Sequence, residues 1–177
     1  MVFVLGCDHY LQECDLTESN EEVCKIERRT KGRFYELVKE IVSGEEIQFI
    51  GEECKPSQKT IPRALATEFK ATMPKLICPF EERQKRGIER NYQALGEQER
   101  NRVYAIREEY MVERIYSEST LGMHKLIVCG ADHIKGLQAR LAEHGETLTA
   151  RDLTKEDWVL EIYRRKEEQL LGPRAKS

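Results

Sequence analysis

Apolar residues fall into two patterns along the chain. Short runs with little alternation occur at Val2-Phe3-Val4-Leu5, Ile47-Gln48-Phe49-Ile50 and Leu126-Ile127-Val128-Cys129. Runs of this kind suit strands buried on both faces, as in a parallel sheet covered by helices. Helical spacing lies between them. Phe34, Leu37, Val38 and Ile41 share a face that stops at Gly44, and Pro62 fits the first turn of a helix carrying Leu65, Ala66 and Phe69. Further helices are expected from about Glu97 to Tyr116, from Ile134 to Glu143 before Gly145, and from Lys155 to Leu171. Pro74 to Pro79 is a third short strand candidate and Thr147 to Thr149 a possible last one, while Glu81 to Arg90 reads as a charge-dense link. The polar stretch Glu13 to Lys31 reads as a loop or a peripheral helix, with Ser19-x-x-Glu22 as a candidate capping box. The order predicts an α/β fold: a mostly parallel sheet of about four to five strands with helices on both faces.

Composition narrows the class. A chain of 177 residues, 40% hydrophobic, is expected to form one domain over 1–177, with a variable polar segment at about 10–31. A net charge of −3 and a pI near 5.9 speak against a nucleic-acid partner. No apolar run approaches a membrane span, and the N-terminus has no basic region followed by an apolar stretch and cleavage site, so a cytoplasmic protein without a membrane partner is expected. The six cysteines, at 7, 14, 24, 54, 78 and 129, contain no C-x-x-C pair and favour reduced, mostly buried thiols.

The candidate chemistry follows the strands. β-type runs end in Gly6-Cys7-Asp8-His9 and again in Gly130-Ala131-Asp132-His133, and a third ends in Gly51-Glu52-Glu53-Cys54. Open α/β sheets place their chemistry at strand C-termini, so both Gly-x-Asp-His turns are expected on one rim. Glu52 and Glu53 differ by one position, and only one of them can face a site on that rim. On the long helix, Val103, Ile106 and Tyr110 share a face flanked by Tyr104, Met111 and Ile115; Arg107 and Arg114 fall inside this arc, with Glu108, Glu109 and Glu113 directed elsewhere. An arginine on a core-facing stripe calls for a carboxylate or a ligand anion. Plainer readings stand beside these: Asp132 serves equally well as a helix N-cap, Arg114 as a stem with its head in water, and His124 and His144 carry no role.

Taken together, the two Gly-x-x-His motifs (Gly6 to His9, Gly130 to His133), Gly51-Glu52 and Arg107 with Met111 as an R-x-x-x-M helix resemble the TraB/TIKI group of the erythromycin-esterase-like and ChaN-like superfamily. The resemblance spans nearly the whole chain. It implies an α/β fold whose histidines, glutamate and arginine form one pocket, metal-dependent and hydrolytic in some members and haem- or iron-related in another.

Two imidazoles and one or two carboxylates also suit a divalent transition metal such as Mn, Fe, Co or Zn, which activates bound water. On this reading His9 and His133 are ligands, and Glu52 or Asp132 is a further ligand or general base. Arg107 holds a substrate carboxylate or a developing oxyanion, and Arg114, Glu53 and Asp8 contribute to binding a small-molecule or peptide substrate. A metal-free version makes one histidine the base with Glu52 orienting it. The alternative is a non-catalytic module binding a small anion or metal. No G-x-G-x-x-G or Walker-type loop is present to support a nucleotide.

Overall fold

The computed structural model describes residues 1–16, 20–54, 58–88, 96–120 and 122–171. Strands β1 (Val2–Gly6), β2 (Phe49–Glu52), β3 (Lys125–Cys129) and β4 (Leu148–Asp152) form one all-parallel sheet in the order β2-β3-β1-β4. The unalternating runs found their expected place: β3 is central and buried at all five positions, and β1 pairs on both sides. At roughly 1.5–3 kcal/mol per fully buried aliphatic side chain, Leu126, Ile127 and Val128 alone bind β3 firmly into the core.

Among the described residues seven helices flank the sheet: α1 (His9–Gln12), α2 (Glu21–Gly44), α3 (Ile61–Phe69), α4 (Phe80–Lys85), α5 (Glu97–Glu118), α6 (Ile134–Glu143) and α7 (Asp157–Leu171). Strand alternation sorts the core into two layers. Leu5, Ile50, Leu126 and Val128 pack on one face against Phe34, Val38 and Val42 of α2, Leu65 of α3 and Val159 of α7. Val4, Phe49, Ile127 and Cys129 pack on the other against Met111, Val112 and Ile115 of α5 and Leu137 and Leu141 of α6. Cys7, Cys54, Cys78 and Cys129 are buried thiols outside any disulfide. Among the described residues no helix is long and apolar enough to cross a membrane.

Three local expectations are corrected. The part of the polar segment from Glu21 to Lys31 is neither loop nor a separate peripheral helix, because α2 runs unbroken from Glu21 to Gly44. Its buried stripe is Val23, Ile26, Glu27, Thr30, Lys31, Phe34, Val38 and Val42, and the polar members hid the period. They are tolerated inside because each has a partner: Lys31 Nζ lies 3.0 Å from Glu27 one turn back, and Thr30 Oγ1 donates to the Trp158 carbonyl at 3.3 Å. The N-cap is Asn20, whose Oδ1 accepts from the amides of Glu22 and Val23; Ser19 lies outside the described residues. Pro74 to Pro79 is not a strand. Single bridges from Thr72 to Phe49 and from Lys75 to Glu52 hold this stretch along the outer edge of β2, where prolines that lack an N–H prevent a continuous ladder. The charged link 81–90 begins with α4, and residues 89 and 90 lie outside the described residues.

Candidate functional site

The two Gly-x-Asp-His turns meet at the C-terminal rim. Gly6 lies opposite Cys129, and the ladder continues past the strand ends through Cys7 N–H to the Cys129 carbonyl and Glu53 N–H to the Val128 carbonyl, each at 2.9 Å. Gly6 is required by close approach: a Cβ there would stand 2.9 Å from Ala131 Cα and overlap the Ile134 side chain. The turn after β3 therefore closes over the end of β1. It coils as a single 3₁₀ turn, Ala131–His133, before α6 begins.

His133 is 3% exposed and sits between two carboxylates. Its Nδ1 lies 3.1 Å from Glu108 Oε1 and its Nε2 3.5 Å from Glu53 Oε1. Glu53, 1% exposed, is held at both oxygens: Arg107 Nη2 donates to Oε1 and the Gly130 amide donates to Oε2 at 3.1 Å. Arg140 Nε approaches Glu108 Oε2 at 3.9 Å. Two ion pairs thus flank the imidazole, Arg140 with Glu108 on one side and Arg107 with Glu53 on the other, which compensates charges that are costly to bury singly. The Tyr104 ring stands edge-on to His133 with centroids 5.1 Å apart, and its hydroxyl donates to Asp132 Oδ2 at 3.2 Å.

His133, Glu53, Arg107, Tyr104 and Asp132 line a cleft of about 460 Å³ together with Cys7, Asp8, His9 and Thr154, with Glu108 and Arg140 behind the imidazole. Burial raises the Asp8 carboxyl above its ordinary range, against the pull of neighbouring His9. Burial likewise pushes the Cys129 thiol well up, so it is a packing group and no nucleophile.

Of the residues singled out from the sequence, the fold gathers Asp8, His9, Glu53, Arg107, Asp132 and His133 around this cleft and leaves out Glu52 and Arg114. Glu52 points through the opposite face, where its Oε2 accepts from Thr60 Oγ1 at 2.8 Å and lies 3.5 Å from Arg63 Nη2, while its Oε1 is buried without a hydrogen-bond partner. Burial lifts its carboxyl to about 7. Arg107 accordingly meets Glu53, not Glu52. Arg114, two helical turns beyond Arg107, pairs with Glu118 at 2.6 Å on the outside of α5. Asp132 caps no helix, and Asp8 precedes α1 without a side-chain cap bond. His9 is exposed, so the two histidines share a cleft but differ in setting. His124 contacts the Glu45 carbonyl and His144 lies against Tyr116, away from the rim.

Glu108 is a site residue the sequence reading missed, having directed it away from the core, and Tyr104 and Thr154 of the cleft were given no role there. The buried arc of α5 comprises Val103, Glu108, Met111, Val112 and Ile115. It is rotated from the expected one, and Ile106 and Tyr110 are only partly buried. A glutamate inside such an arc is balanced by His133 and Arg140, a match that periodicity on one helix does not reveal.

Among the described residues no group of three or more His, Cys, Asp or Glu side chains is arranged to hold an ion. Glu108 meets Nδ1 of His133, and both Glu53 oxygens already accept from Arg107 and Gly130. Compared with protein families, curated proteins and solved structures, the chain matches none.

Proposed function

We propose that the cleft is the active site of a hydrolase in which His133 is the general base and acid and needs no metal. The carrying observation is the 3.1 Å contact from His133 Nδ1 to Glu108, with Nε2 facing Glu53 across 3.5 Å. A carboxylate on Nδ1 holds the proton there and leaves the Nε2 lone pair for the cleft, the arrangement a base needs. Water bound beside Nε2 gives up a proton to it as the water oxygen bonds to a substrate carbonyl carbon. The same proton then passes to the leaving group as the bond to that group breaks. Arg107, fixed by Glu53, places positive charge where the carbonyl oxygen becomes anionic. Tyr104 and Asp132 at the mouth offer a donor and acceptors for orienting a small molecule or a peptide segment. The resemblance to the TraB/TIKI group supports hydrolysis as the reaction class.

The test is a panel of ester, peptide and phosphate substrates given to the full chain with a chelator present. Turnover that persists in chelator and falls at least ~100-fold in His133→Gln supports the reading, since loss of a general base costs about that factor or more. Turnover restored only by Mn, Fe, Co or Zn would replace it with the metal-assisted version. Saturable binding of a small carboxylate or phosphate without turnover would make the cleft a non-catalytic module.

A further inference from the structure

We propose that Gly136 fixes the tautomer of His133, acting through Glu108, so that the 3₁₀ turn carries the base and the helix it leads into carries the notch that seats its orienting carboxylate. The proposal rests on His133 being the acid–base group of the cleft.

Gly136 lies three residues after His133, inside α6, where a glycine costs about 1 kcal/mol relative to alanine. Its φ is not positive, so conformational freedom does not explain it. Its missing side chain does. A Cβ at 136 would overlap the Glu108 carboxylate, with Oε1 only 2.6 Å away and the other atoms nearer still. The carboxylate of α5 therefore rests directly on the α6 backbone, in a space only glycine leaves open.

From that seat Glu108 Oε1 reaches His133 Nδ1 at 3.1 Å, while Oε2 turns toward Arg140 Nε at 3.9 Å. Arg140 also donates from Nη2 to the Ala105 carbonyl at 3.1 Å, tying α6 to α5 one turn before Glu108. The carboxylate is thus bounded on three sides, by the Gly136 backbone and the Arg140 head of α6 and by the imidazole of the turn before it. Moving it out by the width of a methyl group breaks the Nδ1 contact, and the proton is then free to move to Nε2. Groups that orient a histidine through its second nitrogen act in this way on tautomer and basicity.

The experiment is long-range ¹H–¹⁵N correlation NMR on the full chain labelled at histidine, which reads the protonated nitrogen of His133 without any substrate. Wild type is expected to hold the proton on Nδ1. Gly136→Ala and Glu108→Ala should each lower the Nδ1–H to Nε2–H ratio about fivefold or more, the factor one ordinary hydrogen bond contributes. Glu108→Gln, whose amide oxygen still accepts, should keep the wild-type tautomer. In the double variant Gly136→Ala/Glu108→Ala, the second change should add nothing to the first, because the seat is already empty. Should Gly136→Ala fail to fold, the same pair predicts that Glu108→Ala restores folding by making room for the methyl group.

A wild-type tautomer in Gly136→Ala overturns the proposal, as does an unshifted Glu108→Ala or a double variant whose effects simply add. Failure of the catalytic reading looks different: no substrate is turned over, yet the tautomer still responds to both positions.

Discussion

Glu52 and Glu53 are consecutive residues that point through opposite faces of the sheet, Glu52 to Thr60 and Arg63, Glu53 to Arg107 and His133. One peptide bond thus separates a carboxylate of the cleft from a carboxyl buried on the far side. The two positions should respond to substitution in different ways.

Arg107→Met keeps the apolar stem and leaves Glu53 buried without its cation. Urea unfolding at neutral pH should show a loss of about 3–5 kcal/mol, with the double variant Arg107→Met/Glu53→Met recovering much of it. Equal losses in single and double variants would mean that the ion pair is incidental to stability.

Glu52 sets a pH dependence of the opposite sign to that of a salt-bridged acid. Its carboxyl is raised from 4.5 to about 7 by burial, so the folded state holds the proton more tightly than the unfolded chain. Its contribution is complete below about pH 4.5 and is lost as pH rises to about 7, a fall on the order of 3 kcal/mol. Glu52→Gln stays neutral throughout. The stability difference between Glu52→Gln and wild type, followed by urea unfolding across that range, should grow in favour of the variant and level off above it. A difference that stays constant with pH would show that Glu52 is ionised throughout.

The glycines of the two Gly-x-Asp-His turns are not equivalent. Gly6→Ala drives a methyl group into Ala131 and Ile134, and overpacking of this kind costs roughly 1–3 kcal/mol or more. At Gly130 the nearest atoms to an added Cβ are 3.6 Å away, an ordinary contact. Gly130→Ala should therefore unfold within about 1 kcal/mol of wild type, an ordinary surface-like effect. Thermal melts of the two variants side by side decide it; equal destabilisation would contradict the packing described.

The thiols divide by exposure. Cys14 is exposed and should react with an aromatic disulfide reagent in the folded protein, whereas Cys7, Cys54, Cys78 and Cys129 should react only on unfolding. Rapid native-state labelling of Cys7 or Cys129 would show that the sheet opens readily at its rim.

The strands at the centre of the sheet were legible because burial on both faces leaves an unalternating apolar run, as at Leu126 to Cys129. That property also hid which acid faces the cleft. When both faces are apolar, alternation says that Glu52 and Glu53 diverge but not which goes where; packing of Phe49 against the α5–α6 layer decides it. The buried polar groups were illegible for a related reason. Glu27, Thr30 and Lys31 interrupt the stripe of α2, and Glu108 that of α5, yet each is satisfied by a partner on its own or another element. Hydrophobic pattern registers the interruption and not the partner.

The strand order β2-β3-β1-β4 bears on how the protein emerges during synthesis. β1 is made first, but both strands that pair with it come after residue 124, and β2 likewise pairs only with β3 among the strands. A nascent chain that has reached α5 therefore carries two apolar strands with no partner, and the rim of the cleft has nothing to assemble on. Insertion of β3 between them joins the two strands and brings His133 to Glu53, and β4 then completes the sheet along the other edge of β1. Until that step the chain exposes strand edges of the kind chaperones shield, and truncation before β3 should yield an insoluble fragment instead of a partly folded domain.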